Sequence, residues 1–397
     1  MTTALEVVFW LSAALIVWTQ LGYAAALAVF ARLFVPAPPH SAVDPSAAGA
    51  VAGGLPSLSL IVAAHDEQSV IEAKVENALA LDYPRELLEL IVACDGCTDA
   101  TAQEACRAGA DLVLELPRGG KIRAQDAAVR EARGEIVAFS DANALWEPGA
   151  ARALVGAFAD PRVGYACGQV RFYKNVHPAH GFGPAGAANQ EGVYWRYEMA
   201  VRTLESRLRS ITAGNGAIYA TRRSSYIVVD PIMGHDLSLP FNIVKRDQRA
   251  VYVPGARASE KMVPTLSGEF ARKRRMMSHT WPILLRGGML SPRGYTSGYA
   301  LMIVSHRLLR YSSPFLHLLA LGCNIALVAA GAGTLYAVTL LLQWALLVCA
   351  GIGGVIPLRP LLIARYYVLT TASAAFGLWD WLRHGTEASW EVAEGTR

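Results

Sequence analysis

Charge is scarce in this sequence: of 397 residues only 17% are Asp, Glu, Lys or Arg, against about a quarter in most soluble domains. The scarcity is local. None of these four residues occurs from Val7 to Ala31 or from Tyr311 to Leu358, and a membrane-crossing helix needs about 20 apolar residues. The first run is long enough for one span and the second for two with a turn, which excludes a disordered chain, a collagen-like one and a secreted disulfide scaffold. Cysteine is sparse as well, six in all. Cys94 and Cys97 have C-x-x-C spacing, but with no second pair or histidine partner near them in sequence a zinc site is not expected. The formal net charge is only +4, too little to argue for nucleic-acid binding. The chain start lacks the basic segment and short apolar core of a cleavable signal peptide, so the first apolar run is expected to stay as an anchor.

Between these runs the text changes character. Residues 35–55 are rich in Pro, Ala and Gly and read as a linker. From Pro56 to about Arg310 lies nearly all the charge, and its first half alternates strand and helix: Ser57–Ala63, residues 66–81, Leu88–Ala93, Asp99–Ala108, Asp111–Leu116, Lys121–Ala132 and Glu135–Phe139. Such a βα repeat builds a mostly parallel, doubly covered α/β sheet that binds ligands at the carboxyl ends of its strands. Polar residues cluster at those ends: His65-Asp66-Glu67, Asp95-Gly96-Cys97-Thr98-Asp99, Arg118-Gly119-Gly120-Lys121 and Ser140-Asp141-Ala142-Asn143. Carboxylates, a glycine turn with a lysine, and an acid–amide pair on one edge suit a nucleotide diphosphate with a divalent cation.

Each motif alone has a plain alternative. Asp141 and Asn143 offer two oxygens to a hard cation, but an acid at a strand end also caps helices. Gly119-Gly120-Lys121 suits phosphate or a solvated turn. Asp95 suits a base or ribose, or its own backbone. Asp236, ahead of an apolar helical stretch Leu237–Val244, suits a general base or a cap. The run Arg272-Lys273-Arg274-Arg275 suits phosphate or anionic headgroups.

Taken in order, SLSLIVAAHDE, IVACDGCTDAT, LPRGGKIRAQDAAV, GEIVAFSDAN, GNGAIYATRR and GHDLSLPFNIV resemble a membrane-anchored family 2 glycosyltransferase with the GT-A fold, a Rossmann-like mixed sheet that binds a nucleotide sugar. The resemblance runs from Pro56 to Leu285. It implies donor contacts from Ala63, Glu67, Asp95, Lys121 and Asp141, with Asp95 at the uracil. It implies Mg²⁺ or Mn²⁺ at Asp141 and Asn143, where Asn143 stands in place of the family's second acid. Asp236 is implied as the base for the acceptor, preceded by His235 rather than an acid. Asn215, Arg272, Arg275 and Trp281 are implied at the acceptor or phosphates. Aligning Arg275 with the arginine of the Q-x-x-R-W motif of processive members places Arg272 at the glutamine and Met276 at the tryptophan, so single transfer is expected, with Trp281 as partial compensation.

The expectation is therefore an inverting hexosyltransferase that uses a UDP-sugar and a lipid-linked or saccharide acceptor at the cytosolic face of a bacterial inner membrane. A processive polysaccharide synthase and an inactive glycosyltransferase-like export subunit are the alternatives. The domain plan is an N-terminal span (1–34), linker (35–55), catalytic domain (56–285), membrane-proximal segment (286–310), C-terminal membrane helices (311–382) and tail (383–397). Val7–Phe34, Ser313–Ala330 and Leu335–Ile352 are expected to span. Leu361–Leu382, interrupted by Arg365 and Asp380, is expected to lie along the interface with its tail in the cytosol.

Overall fold

The computed structural model describes residues 2–34, 54–173, 190–261 and 266–388. The expected linker therefore lies almost wholly outside the described residues, as does the tail beyond Ala388.

The apolar N-terminal run forms one helix, α1 (Thr2–Phe34), with a π-turn at Trp18–Gly22. Gly22 is required there, because an added Cβ would come within 2.9 Å of the Trp18 ring. The alternating pattern then gives β1 (Leu58–Ala64), α2 (Ile71–Leu79), β2 (Leu88–Asp95), α3 (Thr101–Arg107), β3 (Leu112–Leu116), α4 (Lys121–Glu131) and β4 (Ile136–Asp141). Helix α2 starts five residues later than its apolar spacing suggests. Asp66 is held at φ 50°, where its carboxylate accepts the Thr98 N–H at 2.7 Å, and the chain turns helical only once the Glu67 carbonyl accepts from Val70 and Ile71.

Beyond these come β5 (Leu145–Trp146), α5 (Ala150–Gly156), β6 (Val163–Tyr173), α6 (Gln190–Leu208), β7 (Tyr219–Arg222), α7 (His235–Lys245), β8 (Arg249–Lys261) and α8 (Leu266–Leu285). The eight strands among the described residues form one sheet in the order β3-β2-β1-β4-β7-β6-β8-β5. The first four in that order are parallel, while β7 is antiparallel to both β4 and β6. The sheet is thus mixed, and the switch from parallel to antiparallel falls beside β4. Two apolar layers cover its faces. Leu60, Val62, Leu90 and Ile136 point to one; Ile61, Ile91, Val137 and Phe139 point to the other. This is the period-two alternation of strands buried on both sides.

The remaining helices are α9 (Ser297–Tyr311), α10 (Ser313–Ala329), α11 (Thr334–Ile352) and α12 (Arg359–His384). Helices α1, α11 and α12 are each long and apolar enough to cross a membrane, and α9 and α10 meet this only as a pair bent by 63°. Their packing follows aromatic and polar contacts: Phe9 and Trp10 of α1 close on Tyr336 of α11, and Trp18 Nε1 donates to Ser305 Oγ of α9 at 3.0 Å.

Candidate active site

Parallel strands bring their carboxyl ends to one edge, and the register fixes the order there: Ala63 lies between Ala93 of β2 and Asp141 of β4. Asp95 ends β2 with its carboxylate only 1% exposed. It accepts the backbone N–H of Gly119 at 2.6 Å and of Gly120 at 2.9 Å, and Arg118 Nε lies 3.9 Å away. The turn it holds needs its glycines. Gly96 (φ 61°) and Gly120 (φ 92°) are left-handed, and a Cβ on Gly96 would meet the Arg118 backbone at 2.9 Å. His65 joins the turns through Nδ1, which lies 2.8 Å from the Asp95 carbonyl and so carries the proton. Glu67, buried beside them, gives its N–H no free course: it donates to Thr101 Oγ1 at 2.8 Å.

Lys121, the first residue of α4, reaches across to the Asp141 carboxylate, and both are half-buried. The Asn215–Gly216 turn closes this place from the opposite side. A Cβ on Gly216 would lie 3.5 Å from Lys121 Nζ and 4.0 Å from Asp141 Oδ2. Asn215 uses its amide to hold that turn, donating to the Gly168 carbonyl at 2.7 Å and accepting the Ile218 N–H at 2.9 Å.

Asp236 is not a helix cap, because Gly234 is the N-cap of α7 and Asp236 lies inside the first turn. Its carbonyl accepts the Gly214 N–H at 2.6 Å, which ties it to the same turn. Burial pushes its carboxyl pKa up; Lys121 and the Leu237 N–H oppose this, and the negative charge of Asp141 adds to it. A carboxylate less acidic than usual, close to a cation and an acid, is the environment expected of a general base. His235, by contrast, belongs to the core. It lies between the Tyr219 hydroxyl (2.9 Å) and the Tyr226 hydroxyl (3.3 Å), and burial, then Lys121, lowers its pKa to about 3. It stays neutral and tunes nothing by charge.

Two residues of the site escaped sequence reasoning. Lys74 is 0% exposed, and its Nζ donates to the Ala144 carbonyl at 2.6 Å over the Trp146 ring. Together with Asn77, which exchanges two hydrogen bonds with the Trp146 backbone, it clamps the segment that follows Asp141-Ala142-Asn143. The signal was present: a lysine on the otherwise apolar face of α2. Glu260 is the other. Ser259 pairs with Leu145, so Glu260 arrives beside the Asp141–Asn143 turn at the end of β8. Burial and then Asp141 raise its pKa to about 7, against Lys121, Arg272 and Lys74. It brings a second carboxylate to the place where Asn143 lacks one. An Asp, a Glu and an amide are hard oxygen donors that fit Mg²⁺ or Mn²⁺.

Lys74 also makes a prediction. Burial lowers its pKa to about 7, whereas the unfolded side chain keeps its proton to about 10.4. The unfolded state therefore binds more protons between these values, and stability rises with pH across that window. In Lys74→Met this rise should vanish, and the stranded Ala144 carbonyl should cost about 1–3 kcal/mol at the alkaline end of the range, where wild-type Lys74 carries no buried charge. Thermal melts of both proteins from pH 6 to 10 check this; parallel pH profiles would remove Lys74 from the account.

The basic helix α8 divides. Arg272 is paired with Glu269 at 2.8 Å and acts on Glu260, so it reaches the site edge. Arg275 is half-buried on the same helix. Trp281 corrects the sequence expectation: it is 4% exposed, its indole N–H donates to the Ala374 carbonyl of α12 at 2.8 Å, and it packs with Phe315. It is the seam between α8 and α12, with no face left for a sugar. Met276, at the place of the missing tryptophan, is 47% exposed.

The family described as "Glycosyltransferase like family 2" matches residues 56–278. A beta-monoglucosyldiacylglycerol synthase of Synechocystis sp. is 27% identical over 233 residues, 55% of this chain and 44% of that protein. A beta-monoglucosyldiacylglycerol synthase of Nostoc sp. is 32% identical over 151 residues, 36% of this chain and 30% of that protein. The chain thus spans less than half the length of these curated relatives. Among solved structures, the mannosyltransferase PcManGT from Pyrobaculum calidifontis, in complex with GDP-Man and Mn²⁺, is similar at a TM-score of 0.68 and 22% identity, over 96% of this chain and 99% of that one. That likeness is one of fold across nearly the whole chain.

Proposed function

This chain belongs to glycosyltransferase family 2, and on that premise we propose that it is an inverting transferase moving a hexosyl group from a UDP-sugar to a lipid hydroxyl at the membrane surface. The observation that carries the reading is the meeting of Asp236, Lys121 and Asp141 at one edge of the sheet. The acceptor hydroxyl gives its proton to the Asp236 carboxylate while its oxygen attacks the sugar's anomeric carbon; the bond from that carbon to the diphosphate oxygen breaks, and UDP departs. Asp141, Asn143 and Glu260 would hold a Mg²⁺ or Mn²⁺ ion, which would offset the charge of the departing diphosphate. Lys121 and Arg272 add positive charge beside it. One displacement inverts the anomeric centre, so an α-linked donor gives a β-linked product.

The lipid acceptor is favoured over a free saccharide by the apolar helices joined to the site and by the two relatives, both beta-monoglucosyldiacylglycerol synthases. Single transfer is favoured over processive synthesis by Met276, which stands exposed where a tryptophan would stack, and by Trp281, whose ring is packed between α8 and α12. The test is incubation of the purified protein with a panel of UDP-sugars, Mn²⁺ and diacylglycerol, with lipid products read by mass spectrometry. One added hexose is expected; UDP release without a glycolipid would overturn the acceptor.

Topology follows from the donor. UDP-sugars are cytosolic, so the catalytic domain faces the cytosol, α1 enters from outside, and α10 and α11 form an outgoing and returning hairpin. Helix α12 then starts on the cytosolic side, and its end returns there too: Arg274 of α8 grips Asp380 through two bonds of 2.6 and 2.7 Å, and Thr386 Oγ1 donates to the Ser278 carbonyl at 2.8 Å. Both ends on one side favour an α12 lying along the interface. For Glu387→Cys in sealed cells, an impermeant thiol reagent should label only after lysis; labelling of intact cells would mean that α12 spans.

A further inference from the structure

Helix α12 stops at Gly385 (φ 75°), whose N–H donates to the Trp381 carbonyl at 2.9 Å. The chain then runs back onto the catalytic domain rather than away from it. Thr386 is fixed to Ser278 of α8, and two residues later Ala388 rests on the glycine turn of the donor edge. A Cβ built on Gly120 would lie 2.0 Å from the Ala388 carbonyl oxygen, 2.7 Å from its carbonyl carbon and 3.2 Å from its Cβ. Gly120 is the residue whose N–H is held by Asp95 and which leads into Lys121. Its missing side chain therefore serves two ends: the left-handed turn, and the close approach of a second piece of main chain.

The start of this segment is not loose. Helix α12 is anchored on α8 by the Arg274–Asp380 pair, by Trp281 to Ala374, and by Gly377, where an added Cβ would meet Met277 at 2.5 Å. Tethered so near the turn, the segment meets it at a high effective concentration and needs little intrinsic affinity to occupy it.

We propose that Thr386–Ala388 is a built-in competitor of the nucleotide, docked on the Gly119–Gly120 turn and displaced when UDP or a UDP-sugar binds. The inference rests on the donor-site reading above, since it is the nucleotide that must contend for that turn. The apparent affinity for UDP is then the intrinsic one multiplied by the undocked fraction. Ala388 brings its main-chain carbonyl to the turn and Thr386 its hydroxyl to α8, so the docked segment offers no phosphate groups and yields to a ligand that brings a diphosphate and a cation.

The test uses the full-length protein in detergent carrying Ala388→Cys. A thiol reagent is added with and without saturating UDP and Mn²⁺, labelling of the C-terminal peptide is followed by mass spectrometry, and UDP binding is measured calorimetrically on the same preparation. Release of the segment should raise the labelling rate at least about threefold, and Thr386→Val, which loses the anchoring hydroxyl but keeps its shape, should bind UDP about threefold tighter or more. UDP binding with unchanged labelling would overturn the competition, as would slower labelling, which would make the segment a lid that closes on bound nucleotide. Absence of UDP binding in wild type and Thr386→Val alike would instead remove the donor-site reading itself, and the inference with it.

Discussion

Asp236→Asn should lower turnover at least about a hundredfold, the low end of what a positioned general base contributes, while UDP binding stays close to wild type. The amide keeps the shape of the carboxylate and its place in the first turn of α7, so the Gly214 N–H still finds the Asp236 carbonyl and the Asn215–Gly216 turn keeps its position. What the substitution removes is the negative charge and basicity that let the side chain take the acceptor's proton. The wild-type pH profile should carry the same signature. Burial raises the carboxyl's pKa, and a base is active only when deprotonated, so kcat/KM should fall on the acid side at a pH above the ordinary aspartate value of about 3.9. In Asp236→Asn that acid limb should be lost. A variant with near-normal turnover, or one that keeps the limb, would take Asp236 out of the mechanism.

The second large effect concerns the cation. EDTA should abolish transfer, and Mn²⁺ or Mg²⁺ should restore it in wild type but not, at ordinary concentration, in Asp141→Ala. Removing this carboxylate takes one ion-pair partner from Lys121 but leaves its positive charge at the site. UDP binding without metal should therefore weaken little, while metal-dependent binding collapses. That split separates loss of a ligand from general damage. Full activity of the wild type in EDTA would mean that Lys121 and Arg272 neutralise the diphosphate alone.

Much of this was legible in the chain itself. The βα alternation and the polar strand ends located the sheet edge, since strand period and helix spacing are local properties. Asp95, Lys121, Asp141 and Asp236 were each ambiguous as single motifs; it took parallel register and the Asn215–Gly216 turn to show that three of them act on one another. Glu260 was invisible because its approach to Asp141 depends on β8 pairing with β5, a contact between residues more than a hundred positions apart. Trp281 was misjudged for the converse reason. An aromatic residue near a basic run suits a sugar platform in sequence, but α12 lies over it, and helix-on-helix packing is not written in either segment alone. His235 shows the same limit: nothing beside it in sequence announces that it is buried between the hydroxyls of Tyr219 and Tyr226.

The central claim is a single displacement at the anomeric carbon of a UDP-sugar, with Asp236 as base. The most direct measurement is the anomeric configuration of the first glycolipid formed by the purified protein from α-linked UDP-hexose and Mn²⁺, read from the proton coupling at the anomeric carbon by NMR, with GDP-hexose run in parallel. The account predicts a β-linked product from the UDP donor and none from the GDP donor. An α-linked product, or transfer from GDP-hexose alone, would contradict it.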